Sequence, residues 1–227
     1  MQELVGLSRK SKLSKLIKPP SPSLNYNNRY LRNLVSKAEA TGEIIIDVGS
    51  GGRRLTPNSI NLDIDLFGYV DIVGDACHIP LKNQSVNLVI LSAVLEHVRK
   101  PTLVVNEIHR ILKKNGEVYV ENPFMQPFHA DPDDFQRYTL YGLSTLFDNF
   151  KIVESGVCVG PFSAMAFFIR KFSTVFFANA FASKAIEFTV GWLTFWIKYF
   201  DWIFKKVNKI HIVASGIYLL LKKTNAR

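Results

Sequence analysis

The chain has 227 residues, with 28 Lys and Arg against 19 Asp and Glu, a net charge of +9 and 48% hydrophobic residues. That length holds one sizeable domain and an appendage. A basic chain that is also apolar argues against a polar nucleic-acid binder, and no RNA-binding motif appears; it suits a protein working at an anionic membrane surface.

Two distant cysteines, Cys77 and Cys158, have no ligand-like spacing. They read as reduced thiols of a cytosolic protein. Leu4 to Leu7 is too short for the apolar core of a secretory signal.

Residues 1–24 carry Arg9, Lys10, Lys12, Lys15 and Lys18 interleaved with Leu7, Leu13, Leu16 and Ile17, before a proline cluster at Pro19, Pro20 and Pro22. The stretch reads either as a basic amphipathic arm on anionic lipid or as a solvated tail. From Asn27 to Ala40 the apolar residues Tyr30, Leu31, Leu34, Val35 and Ala38 recur at helical spacing. That helix packs under the first strand, and core packing is the better reading of Tyr30 than substrate contact.

Ile44 to Ile46 is a β-branched run that predicts a strand buried on both faces. It runs into Asp47 and breaks at Gly49, Gly51 and Gly52, where backbone can approach a ligand closely. Further short runs follow at Ile60–Asp63, Val70–Gly74 leading to Asp75, and Val86–Leu91 leading to Ser92, Glu96 and His97. Polar groups at the ends of four strands predict one site along one sheet edge. About ten residues, Gly49 to Ser59, join the first two strands, too few for a full crossover helix. Pro57 points the same way, so a turn replaces that helix.

Asp47-Val-Gly49-Ser-Gly51, Asn61-Leu-Asp63, Gly74-Asp75-Ala76 and Val94-Leu-Glu-His97-Val together resemble a class I S-adenosylmethionine-dependent methyltransferase of the type 11 kind. The resemblance covers residues 27–158 and a final strand. It implies a doubly wound α/β fold: a seven-stranded, mostly parallel Rossmann-like sheet with its last strand antiparallel. It also implies S-adenosylmethionine as cofactor. The methionine part would border Asp47, Gly49, Ser50 and Gly51, with Ser92 near by; Asp63 and Ile64 would hold the ribose, and Asp75 and Ala76 the adenine. Arg53, followed by Arg54, stands where many members have another glycine.

A helix is expected from Thr102 to Lys114, closed by Asn115-Gly116, and then a fifth strand, Glu117–Glu121. His97 lies at the mouth of the predicted site. It reads as a general base, or as part of the wall that closes the pocket. Residues 122–139 form a loop over the site with His129, Asp131, Asp133, Asp134, Arg137 and Tyr138. His129 or Asp131 is the candidate base for a hydroxyl, and Arg137 with Tyr138 the candidate substrate contact. The competing reading is a tight turn with Arg137 salt-bridged to Asp133 or Asp134. A metal site at this loop is weakly supported, because no second histidine sits at ligand spacing, and no metal is assigned.

Thr139 is the expected N-cap of a helix to Phe150, and Lys151–Val159 the sixth strand. Ile212–Lys222 is the expected last strand. Residues 160–209 intervene, rich in Phe and Trp and in basic residues. No run there reaches the charge-free length of a membrane span, and interfacial helices fit better; a cap on the domain is the alternative.

The domain reading is therefore a basic arm (1–24), a methyltransferase domain (25–159 with 210–224) and an aromatic helical insertion (160–209). The expected activity is methylation of a sugar hydroxyl on a lipid-linked or surface glycan, at the inner face of the membrane. The alternatives are a lipid or quinone acceptor, or a membrane adaptor that kept the fold and lost the reaction.

Overall fold

The structure is a computed structural model and describes residues 18–224. The basic arm therefore lies outside the described residues up to position 17. A seven-stranded sheet forms the centre, with strand order β3-β2-β1-β4-β5-β7-β6. Strands β1 (Ile45–Val48), β2 (Ile60–Asp63), β3 (Ile72–Val73), β4 (Val86–Ser92) and β5 (Leu112–Pro123) pair in parallel. Strand β7 (Gly216–Lys223) lies antiparallel between β5 and β6 (Phe150–Val159). That arrangement returns β6 to the direction of β5, so the C-terminal ends of β1, β2, β4, β5 and β6 share one edge.

Helices cover both faces, as nearly continuous apolar strands require. On one face, α2 (Pro101–Ile111) and α3 (Leu140–Leu146) press Val104, Ile108, Ile111 and Leu143 against Ile46, Val89, Leu91 and Val118. On the other, α1 (Asn28–Ala40) buries Leu31, Val35 and Ala38 against Ile45, Leu88 and Ile90. Tyr30 packs its ring at a tilt against Tyr119 and Tyr218 there and donates to Glu154, which makes it a packing residue.

The β1–β2 connection contains no helix, as its length predicts. Two arginines hold it instead. Arg53 donates to both oxygens of Asp47, and Arg54 donates to the carbonyls of Ser59 and Tyr69 and to Asp71.

Four of the element boundaries that differ from the sequence expectation have a clear cause. Helix α2 stops at Ile111, because Leu112 pairs with Val86 and the Lys113 ammonium donates to Asn87; Lys113 and Lys114 thus open β5. Strand β3 shrinks to two residues, since Val70 closes a turn on Phe67 and the Asp71 carboxylate takes the Asn61 N–H. The helix after Thr139 ends at Leu146, although Thr139 caps it as expected by accepting from the Gly142 N–H. Strand β7 begins at Gly216, with Ile212 and Val213 in a 3-10 turn.

The insertion folds as α4 (Pro161–Val175), α5 (Ala180–Thr194), a 3-10 turn and α6 (Phe200–Phe204). Asp201 is fully buried, and its carboxylate accepts the Phe162 and Ser163 N–H groups that open α4. The proline segment before α1 straps across these helices. Arg170 donates to the Pro20 carbonyl, Lys198 to that of Ser21, and the Leu24 N–H to the Ser163 hydroxyl.

Glu107 on α2 fixes the segment after β3: it accepts the Ile79 N–H and pairs with Arg110, which also donates to the Ile79 and Leu81 carbonyls. Hydrogen bonding from Arg110 chiefly holds the Glu107 carboxyl below its ordinary 4.5. A depressed carboxyl contributes stability that is present above the ordinary value and lost as pH falls through the folded one. Glu107→Gln should therefore lose stability at pH 7 and show a shallower decline below pH about 4.5 in urea unfolding than the parent.

Candidate active site

The glycine turn after β1 is a cradle that only glycine can form. Gly49 has φ +68°, and a Cβ there would sit 2.3 Å from the Val94 side chain. Gly51 has φ +56°, and a Cβ on Gly51 or Gly52 would meet nothing within 4 Å. The turn is thus packed against the β4 exit on one side and open on the other.

Asp63 organises the next part of the edge. One carboxylate oxygen accepts the Gly51 N–H at 2.7 Å and the other the Asp65 N–H at 3.2 Å. The carboxylate keeps further lone pairs for hydroxyl donors. Beside it, Ile64 is 60% exposed, an apolar surface next to an oriented carboxylate. Asp75 is half exposed and accepts the Cys77 N–H, while Ala76 packs on the core behind it.

Asp47 is wholly buried, and Arg53 occupies both of its oxygens at 2.7–2.9 Å. Burial pushes the Asp47 carboxyl up, and the Arg53 hydrogen bonds and charge act against that. Ser50 lies in the same turn, with its hydroxyl buried and unpartnered.

These residues fit an adenosyl sulfonium cofactor. Asp63 suits a vicinal diol, Ile64 an adenine face and Asp75 an exocyclic amine. At the methionine end both Asp47 oxygens are already taken by Arg53.

The β5 end adds a network that sequence reasoning missed. Glu121 accepts from Asn25 with both oxygens, from the Ser92 hydroxyl and from Tyr119 at 2.6 Å; Asn27 donates to the Tyr119 oxygen. Ser92 is thereby turned towards Glu121. The signal was available: Tyr119 and Glu121 alternate onto one face of the strand, and a carboxylate there must be partnered. Asn122 beside it is buried with neither amide atom partnered.

The loop after β5 folds back over the turn Leu95–His97. The Phe135 N–H donates to the Glu96 carbonyl, and Gln136 donates to the Leu95 and Val98 carbonyls. The His97 ring contacts the Asp133 carbonyl through Nδ1, and the His129 ring sits edge-on to it, with centroids 5.4 Å apart. Glu96 lies below them with no exposure and both carboxylate oxygens unpartnered. Burial pushes its carboxyl up to about 7.

Arg137 is ion-paired with Asp134, a buried side chain, and not with Asp133. Arg137 therefore orders the loop and leaves little of its guanidinium for a ligand. Tyr138 packs partly on the core, and burial raises its hydroxyl pKa to about 12. Asp131 is exposed and lies outside the Glu96–His97–His129 group.

Residues 47–120 match a family model described as a methyltransferase domain. Comparison with curated proteins gave no match. Among solved structures, a SAM-dependent methyltransferase from Archaeoglobus fulgidus superposes with a TM-score of 0.51 at 16% identity, over 85% of this chain and 94% of that one. The [4+2]-cyclase SpnF superposes with a TM-score of 0.53 at 16% identity, over 87% and 81%. At such identities the likeness is one of fold, and the cyclase shows that one fold hosts different chemistries.

The sheet order and the family match over the cofactor edge support a class I S-adenosylmethionine-dependent methyltransferase. Its cofactor is S-adenosylmethionine.

Arg53→Ala should leave the Asp47 carboxylate buried without a partner. The loss should be about 3 kcal/mol in urea unfolding, below that of a fully enclosed pair because Arg53 is partly solvent-screened. Adding Asp47→Asn to Arg53→Ala should recover much of it, an outcome that a purely steric role for Arg53 does not give.

Proposed function

We propose that this enzyme methylates a hydroxyl of a lipid-linked sugar at an anionic membrane surface. The observation that carries the reading is the charge and exposure of the insertion, which leaves the sheet at the same edge as the cofactor site. Phe172, Val175, Phe176, Phe181, Trp202 and Ile203 are all exposed, Phe181 by 83%.

The acids of the insertion are used internally: Asp201 caps α4, and Glu187 pairs with Lys171. Arg170 is buried against Pro20 and Gly191. The exposed Lys184, Lys205, Lys206 and Lys209 are left uncompensated among large apolar side chains. Aromatic groups at headgroup depth with lysines beside them fit an anionic lipid surface. No helix among the described residues is long and apolar enough to cross a membrane, which supports contact with one face.

When bound, S-adenosylmethionine supplies a methyl group already activated on a sulfonium. The chain must align an acceptor with it, exclude water and take up a proton. Asp63, Asp75 and the glycine turn would hold the adenosyl part. Glu96, His97 and His129 form the basic pole where an acceptor hydroxyl would lose its proton. A cleft of about 320 Å³ lined by Gln126, Phe128, Asp134, Phe135, Gln136 and Arg137 adjoins that pole and gives the acceptor a polar wall.

Calorimetric titration of S-adenosylmethionine and S-adenosylhomocysteine tests the cofactor site. Micromolar binding should fall at least about tenfold in Asp63→Ala, which loses a charge-assisted contact. With labelled cofactor and membrane vesicles, label should enter the lipid extract and resist mild alkali, as a methyl ether does; alkali-labile or water-soluble label would overturn the acceptor.

For the surface, sedimentation with phosphatidylglycerol vesicles should pull down the wild type and release Phe172→Ser/Phe176→Ser/Trp202→Ser. Equal sedimentation of the two would remove the membrane reading.

A further inference from the structure

We propose that Glu96, His97 and His129 bind a first-row divalent metal ion such as Zn²⁺. One ligand atom from each lies within 4.8 Å of the others. The His97 tautomer follows from what its ring faces. The His97 Nδ1 faces the Asp133 carbonyl, which can only accept, so Nδ1 carries the proton and Nε2 keeps its lone pair. That Nε2 lies 3.7 Å from a Glu96 oxygen.

The His129 Nδ1 lies 3.2 Å from the Pro127 carbonyl, again an acceptor. The neighbouring Arg137 Nη2 lies 3.2 Å from the same Nδ1 and donates to Asp134 at 2.6 Å. A carbonyl that fixes one ring nitrogen, as that of Asp133 does for His97, is the usual outer support of a metal-binding imidazole.

Glu96 provides the independent observation. It has zero exposure, and neither carboxylate oxygen has a hydrogen-bond partner. A buried carboxylate without donors is costly to maintain, and a cation between the three side chains removes that cost. The donors would draw together by up to about 1.5 Å to reach the roughly 3.3 Å spacing of a four-coordinate ion.

Two imidazoles and one carboxylate select Zn²⁺ or Fe²⁺ over Mg²⁺ or Ca²⁺, and three protein ligands leave a position open. On the methyl-transfer reading above, that position takes the acceptor hydroxyl and lowers its pKa. With their lone pairs on the ion, the three side chains would no longer take up the acceptor proton themselves; it would leave to solvent through the cleft, the oxygen forming the O–CH3 bond as the S–CH3 bond breaks with its electron pair going to sulfur. Sequence spacing hid the site because His97 and His129 belong to different loops.

The test is titration of Zn²⁺ alone, and of Co²⁺ with its visible absorption as readout, into chelator-treated, tag-free protein. One ion per chain should bind. His129→Ala, which deletes a ligand, and Glu96→Gln, which leaves only a neutral amide oxygen, should each weaken it about 100-fold; His211→Ala should bind as the wild type does. His129 lies on a loop, so its variant keeps the fold, which far-ultraviolet circular dichroism verifies.

Absence of stoichiometric binding to the folded wild type would overturn the site, as would undiminished binding to His129→Ala. The same samples titrated with S-adenosylhomocysteine separate the two readings. Cofactor binding without the ion sinks the metal site alone; ion binding without the cofactor supports the metal site and sinks methyl transfer.

Discussion

The ion pair between Arg53 and Asp47 is the constraint on which the site edge depends. Asp47 is buried at the end of a central strand, where a carboxylate is tolerated only with a partner. In an ordinary crossover the chain after the glycine turn would enter a helix and leave that partner to a ligand. Here ten or so residues must turn back to β2, and Arg53 reaches Asp47 from within the turn while Arg54 ties its other end to Ser59, Tyr69 and Asp71. The turn is therefore rigid without a helix, and its backbone can meet a cofactor without a helix dipole.

From that fixed turn the edge reads as two chemical halves. Asp63, Ile64 and Asp75 offer an oriented carboxylate, an apolar face and a second acceptor, all partly open. Beyond Val94, which packs on Gly49, stands the denser half: Glu96 with His97 and His129, and behind them Glu121 with Ser92, Tyr119 and Asn25. The contrast is physical. Glu121 accepts from three side chains and makes a satisfied scaffold, while neither Glu96 oxygen has a hydrogen-bond partner and the residue marks a place where something must bind or a proton must sit.

The insertion enters at the same edge because β6 runs parallel to β5 and ends there. Its inner surface is built from polar contacts that fold the chain on itself: Asp201 on the start of α4, and Arg170 and Lys198 on the proline strap. With those charges used, what remains outside is apolar, aromatic and cationic. The placement would bring the site close to whatever surface the insertion touches.

Much of this was legible in the sequence. Apolar runs ending in Asp47, Asp63, Asp75 and Ser92 determined the strands and their shared edge, because burial on both faces forces an apolar run and a ligand edge forces the polar stop. Chain length alone removed the first crossover helix. The sequence could not say that Arg137 takes Asp134 instead of a ligand, or that Lys113 and Lys114 open a strand, since both follow from neighbours distant in the chain. Nor could it bring His129 over His97 and Glu96: that meeting depends on Gln136 and Phe135 anchoring one loop to the backbone of another. Periodicity records which face a residue is on; only the packed tertiary structure decides which two loops touch.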